Sequence, residues 1–350
     1  MDRRTFVSTV GLGATTAIAG CLGGGSDRGE RTLVVGTYGS FVDAPSTSPG
    51  AWVKDQFESQ FDARLVWQTP DADVNYYIER QDAGVDIEAD LYVGLNTDQL
   101  VRIDDALEEP LFASAGDISG VDDVKSELTF DPEERAVPYG TGYVSPVYDG
   151  TATDAPETFD GLLDEEHRGD LIAQNPAGST TGRAFLLHTI HQYGEDGYLD
   201  FWQELQDNDV RILGSWADSY SAWQGGEAPM VISYSTDQVF ADMEGANLEE
   251  HQVRFLDDQA YANPEGMAVF ENAAEPELAR EFMSLLLEPE VQGELAERNV
   301  MFPATNDATL PEGYAELAHE PPEPVTFSYE ELRGSVDTWV DDWERQVAEQ

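Results

Sequence analysis

The sequence predicts an α/β protein of two lobes with a ligand cleft between them. Its 350 residues suffice for two lobes of ordinary size, and 41% of them are hydrophobic, enough for a packed core. Short apolar runs alternate with segments of helical period, the pattern of right-handed β-α-β units on a largely parallel sheet. The alternation breaks at residues 137–148, an extended, aromatic and glycine-rich stretch that reads as a crossing between the lobes.

In order, residues 32–38 read as a strand, with a turn at Tyr38-Gly39-Ser40-Phe41. Residues 50–60 read as a helix with Trp52, Val53 and Phe57 on one side. Strands over 63–67 and 89–95 alternate with helices over 74–81 and 97–107. Beyond the crossing, residues 171–193 read as a short strand, a loop of small residues and a helix. Asn175-Pro176 ends that strand, because proline pushes the residue before it toward extended geometry. Ser179, Thr180 and Thr181 are good N-cap residues, and Phe185, Leu186 and Ile190 give the helix one apolar face. Arg211-Ile212-Leu213 is a short strand, and Ser215 caps a helix running to about Gln224. Residues 230–234 form a buried strand, and Ser235-Thr236-Asp237 caps the next helix. Residues 267–270 return as a strand to the first lobe, and Pro276 opens a helix carrying Leu278, Phe282, Leu285 and Leu286. The proline-rich stretch 321–324 punctuates the tail. A last helix carries Trp339 and Trp343 four residues apart, one packed face.

The first twenty residues form a targeting segment. Arg3-Arg4-Thr5-Phe6 is a twin-arginine start, and the apolar run 7–19 is too short and too rich in Gly and Ala for a membrane span. The run ends at Ile18-Ala19-Gly20-Cys21, the small-residue pattern of a lipoprotein cleavage site. Cys21 is the single cysteine, so an internal disulfide is excluded and lipidation is its expected role. Residues 21–31 then form a flexible tether.

The formal net charge is −52, from 70 acids against 18 bases, and the acids are scattered along the whole chain. At about 1 M salt the screening length is roughly 3 Å, so self-repulsion of this size becomes tolerable. The composition is that of a surface adapted to very high salt; a basic partner or a metal-storage surface is the alternative. Nucleic acid is disfavoured as a partner, because a phosphate backbone needs clustered Lys and Arg.

The chemistry points to binding. A helix opening on Gly178-Ser179-Thr180-Thr181-Gly182 presents free N–H groups, hydroxyls and a positive dipole end suited to an anion. An N-cap without a ligand has the same pattern. Tyr38, Trp216 and Tyr234 fall at strand ends or helix starts, where ligands sit in open α/β sheets, and aromatic faces stack on flat cations. A site with both features suits a flat cationic ligand with an anionic tail, whereas each aromatic taken alone could equally be core. His188 and His191 have only a weak metal spacing. H-E-x-x-H, G-x-S-x-G and Walker motifs are absent from the sequence.

Taken in order, these motifs resemble the solute-binding proteins of ABC importers, and within them the thiamine-binding members. The matching stretches are 38–41, 89–95, 137–149, 174–182, 214–220, 226–234, 299–303 and 309–311, nearly the length of the mature chain. The resemblance implies a two-lobed periplasmic-binding-protein-like fold, with 32–137 plus 265–305 as lobe 1 and 138–264 plus 306–350 as lobe 2. It implies thiamine or a thiamine phosphate as ligand, held by Tyr38, Ser179, Thr180, Gly182, Trp216, Tyr234 and Phe240. It implies no catalytic residue, cofactor or metal. The expected protein is a monomer tethered through Cys21 to the outer face of the membrane and serving a permease. Two positions depart from the family pattern: Val300 stands where the family has Trp, and Gly140 where it has Asp. The alternatives are a polyamine or ferric-iron binder, and a secreted enzyme of thiamine-precursor chemistry. Iron-binding relatives use two adjacent tyrosines where this chain has Ser233-Tyr234-Ser235.

The charge makes the first prediction. As salt falls, repulsion lengthens in range and the fold should weaken. Circular dichroism from molar salt down to about 0.1 M should show unfolding. An unchanged spectrum and melting point would contradict a brine-adapted surface.

Overall fold

The computed structural model describes residues 31–348. The expected signal segment 1–20, Cys21 and the tether up to residue 30 lie outside the described residues.

The chain opens with β1 (Arg31–Thr37), the one-turn helix α1 (Gly39–Val42), α2 (Gly50–Gln60) and β2 (Ala63–Gln68). It continues through α3 (Asn75–Asp82), β3 (Leu91–Leu95) and α4 (Thr97–Ala106) to the long strand β4 (Ala136–Tyr148). The second half holds β5 (Leu171–Gln174), α5 (Thr180–Tyr193), α6 (Tyr198–Asp207), β6 (Arg211–Leu213), α7 (Trp216–Gln224), β7 (Met230–Tyr234) and α8 (Asp237–Met243). After β8 (Gln252–Val253), a second long strand, β9 (Gln259–Val269), leads to α9 (Pro276–Leu286) and α10 (Pro289–Arg298). The tail is β10 (Phe302–Pro303), α11 (Tyr314–Leu317), β11 (Glu323–Val325), α12 (Tyr329–Leu332) and α13 (Val336–Trp343).

Local chemistry explains the helix starts. Asn96 caps α4 in a capping box, its own N–H donating to Gln99 Oε1 at 3.0 Å. Ser179 Oγ accepts from the Gly182 N–H at the start of α5, and Ser215 Oγ from the Asp218 N–H at the start of α7. Pro276 and Pro289 open α9 and α10, where a missing N–H costs nothing. Thr236 precedes α8 but does not cap it; its hydroxyl donates instead to the Val300 carbonyl.

The strands join in the order β2-β1-β3-β9-β4-β7-β5-β6. The two wings are parallel, β1 with β2 and β3, and β5 with β6 and β7. The middle is antiparallel: β3 with β9, β9 with β4, and β4 with β7. This corrects the expectation of a largely parallel sheet. It also lengthens the returning strand, expected over 267–270, back to Gln259. Asn263 and Pro264 lie inside β9 and look like a break in the sequence. Long-range pairing overrides that signal, with Asn263 opposite Gly142 and Pro264 opposite Thr141. Glu323, Pro324 and Val325 likewise pair with β9 rather than merely ending the chain's regular structure.

Helix α5 departs from its expected single apolar face. Every residue from Thr181 to Ile190 is buried, because the helix is covered by the sheet, by α6 and by tail residues. His188 belongs to this packing. Its ring meets Phe159 edge-on at 4.7 Å, and burial pushes its pKa down to about 3, so it stays neutral. The core of the first half packs Leu33, Val35, Phe57 and Phe282 on one face of the sheet. On the other face a continuous cluster runs from Tyr92 and Leu100 to Phe185, Trp202 and Trp343. Each such side chain contributes roughly 1.5–3 kcal/mol by leaving water.

Two devices link the halves beside β4 and β9. The C-terminal helices reach both: Tyr329 donates to Asp104 Oδ2 at 2.8 Å and Arg102 pairs with Asp337, while Trp343 meets Trp202 at 5.3 Å. Beneath them, Arg183 of α5 pairs with Asp98 in the first turn of α4, with 4% and 7% of the two side chains exposed. The guanidinium also donates to the Pro176 carbonyl at 2.7 Å. Dissolved salt screens such a buried pair little. Asp98→Asn should leave the arginine charge buried and unpaired, costing about 3–5 kcal/mol in chemical denaturation in molar salt. Adding Arg183→Met should recover much of that loss. A single variant as stable as wild type would show that the pair does not hold the halves together.

Candidate functional site

A cleft with about 870 Å³ of empty space, open solvent at its mouth included, lies where the two halves meet. Its walls come from the ends of β1 and β7, the starts of α5, α7 and α8, the middle of β4 and β9, and the loop after α10.

Tyr38 follows β1 and stands at the start of α1. Its hydroxyl donates to Glu265 Oε2 at 3.1 Å and accepts from Asn299 Nδ2 at 3.0 Å. Two glycines make room for the aromatic walls. A Cβ on Gly94, which has φ +99°, would come 2.4 Å from the Tyr38 ring. One on Gly142 would come equally close, 2.4 Å, to the ring of Tyr234. Trp216, the first residue of α7, stacks on Tyr220 with ring centres 4.9 Å apart and donates its indole N–H to Ser233 Oγ at 3.0 Å. Phe240 of α8 closes the same wall.

Of the seven residues expected at the site, Tyr38, Thr180, Trp216, Tyr234 and Phe240 line the cleft. Ser179 and Gly182 sit behind it. The Ser179 hydroxyl is spent on Thr181 and on the Gly182 N–H, and Gly182 packs tightly over the Gln174 carbonyl. Thr181 reaches the cleft instead. The two departures also have structural counterparts. Val300 lines the cleft with φ +50°, unusual for a β-branched residue. Gly140 lies directly under Met301, whose methyl group a Cβ there would meet at 1.9 Å, so a side chain at this position would need the methionine to swing aside.

The sequence reading missed the acids. Asp73, Asp237 and Glu265 line the cleft, and among the described residues no Lys, Arg or His lines it. Tyr220 donates to Asp237 Oδ1 at 2.5 Å, and His251 Nδ1 lies 2.6 Å from Oδ2. Asp73 accepts from Tyr92 and from Gln99 Nε2 at 2.8 Å. Glu265 accepts from Tyr38 and Tyr139. Burial pushes the carboxyls of Asp73 and Glu265 above the usual range, against the pull of these hydrogen bonds. The same burial, with Glu265 nearby, pushes the Tyr234 hydroxyl up. The cleft is therefore aromatic, desolvated and short of positive charge.

Residues 97–317 match the family model described as "Bacterial extracellular solute-binding protein". The chain belongs to that family. This extracellular solute-binding protein is thus a ligand-capturing component of an ABC importer and not an enzyme. The thiamine-binding periplasmic protein of Escherichia coli K12 is 28% identical over 320 residues, covering 91% of this chain and 94% of its own. That of Haemophilus influenzae is 26% identical over 303 residues, 85% of each chain. A solved structure titled "Periplasmic thiamin binding protein" superposes with a TM-score of 0.81 at 27% identity, covering 94% of this chain and 99% of its own. An apo ferric ion-binding protein A from Pasteurella haemolytica shares the fold, with a TM-score of 0.72 at 14% identity, covering 90% and 98%. The solute-binding protein is a homologue of the thiamine-binding periplasmic proteins.

Proposed function

We propose that the protein captures thiamine, or thiamine monophosphate, and delivers it to the permease of an importer. The observation that carries this is the lining of the cleft, which among the described residues has five aromatic side chains and three carboxylates and no basic group. Thiamine presents two flat heterocycles, one a permanent cation, and a hydroxyethyl arm. Tyr38, Trp216, Tyr234 and Phe240 supply faces for the rings. Thr180 and Thr181, at the start of α5, supply hydroxyls and a positive helix end for the arm or its phosphate. The likeness to thiamine-binding relatives over nine-tenths of the chain supports the same ligand.

In this reading residues 32–137 plus 265–305 and residues 138–264 plus 306–350 act as lobes closing on the ligand, with β4 and β9 as the hinge. The protein works as a monomer in brine, exported by the twin-arginine route and held at the outer membrane face by a lipid on Cys21. Cys21→Ser should move it from the membrane fraction to the soluble fraction; unchanged membrane association would mean a different anchor.

Thermal shift in molar salt against thiamine, its monophosphate, Fe³⁺ and spermidine tests the ligand. Thiamine at 100 times its dissociation constant should add about 2.7 kcal/mol of stability. A response to iron or spermidine alone would overturn the assignment. Trp216→Ala should weaken thiamine and its monophosphate alike by roughly 1–3 kcal/mol. Thr180→Val should cost about 0.5–1.5 kcal/mol and more for the monophosphate. Calorimetric titration reads both, and equal losses from Thr180→Val would place the arm elsewhere.

A further inference from the structure

We propose that Glu265 selects for a positively charged ligand, its carboxylate being a counter-charge that no basic side chain among the described residues is recorded as acting on. This rests on the thiamine reading above and names the side chain that senses charge within that site. Of the three cleft carboxylates, two already have a basic side chain acting on them. Asp237 contacts His251 at 2.6 Å, and the charge of Arg183 acts on Asp73. Glu265 has neither. Its Oε2 accepts from the Tyr38 hydroxyl at 3.1 Å and from Tyr139, and the other charge acting on it is that of Asp73, an acid.

Burial and that like charge hold the carboxyl above its usual range, so the protein alone stabilises its ionised form poorly. A desolvated carboxylate served by hydroxyls alone gains most when a cation arrives. The hydrogen bond from Tyr38 ties the carboxylate to a cleft-lining aromatic ring, so stacking and charge compensation act as one unit. The chain supplies this carboxylate from the middle of β9, opposite Gly140 on β4, where the two strands shift register.

Glu265→Gln keeps the shape and an acceptor for Tyr38 while removing the charge. The probes are thiamine and the neutral analogue in which a thiophene ring replaces the thiazolium. Calorimetric titration in molar salt should find that wild type prefers thiamine. The variant should lose roughly ten-fold or more in affinity for thiamine and hold the neutral analogue. An unchanged preference would overturn the proposal. Equal losses for both probes would also overturn it, making Glu265 a positioning residue for Tyr38. Without ligand at neutral pH, the variant should melt at or above the wild-type temperature, since an under-stabilised carboxylate has gone. A lower melting point would contradict that account. Failure of the thiamine reading itself would be separately visible, because wild type would then bind neither probe.

Discussion

The structure depends on one antiparallel pairing, β4 against β9. These two strands are long enough to belong to both halves. They pair with each other from Ala136 opposite Ala268 to Val144 opposite Tyr261, while β9 joins β3 at one end and β4 joins β7 at the other. Between these ends their ladder shifts register at Pro138 and Gly140, and there the cleft begins. The irregularity sets Glu265 beside Gly140 and lets the Tyr139 hydroxyl reach the carboxylate. A uniform ladder would alternate side chains strictly between the two faces. The shift lets one polar cluster gather where the wings meet.

Elements set by local chemistry were legible in the sequence. Helix α2 spans the expected residues, and Ser179 and Ser215 cap where their side chains and neighbours said they would. The order of the strands was not legible, because it is decided by pairing between residues far apart in the chain. Asn263-Pro264 has the look of a turn and lies in the central sheet. Helix α5 reads as amphipathic and is buried nearly all round, since later segments cover the side that the local pattern leaves polar.

At the cleft the division follows contrast with background. Tyr38, Trp216 and Tyr234 are conspicuous because each aromatic stands among small residues at the end of a regular element. Asp73, Asp237 and Glu265 were invisible among 70 acids. What distinguishes them is desolvation and the identity of their partners, and neither is written in local sequence. Ser179 illustrates the reverse case. Its surroundings suggest a ligand contact, but a capping serine has already committed its hydroxyl to the backbone.

The position of β9 in the chain also constrains how the molecule assembles. The first three strands form a parallel wing whose inner edge, β3, finds its neighbour only when β9 has been made, after the whole second wing. The helices that brace both halves come later still. Contacts between such distant segments slow folding, and an unpaired edge is open to wrong pairing while it waits. The first wing must therefore spend the synthesis of the second without its permanent neighbour.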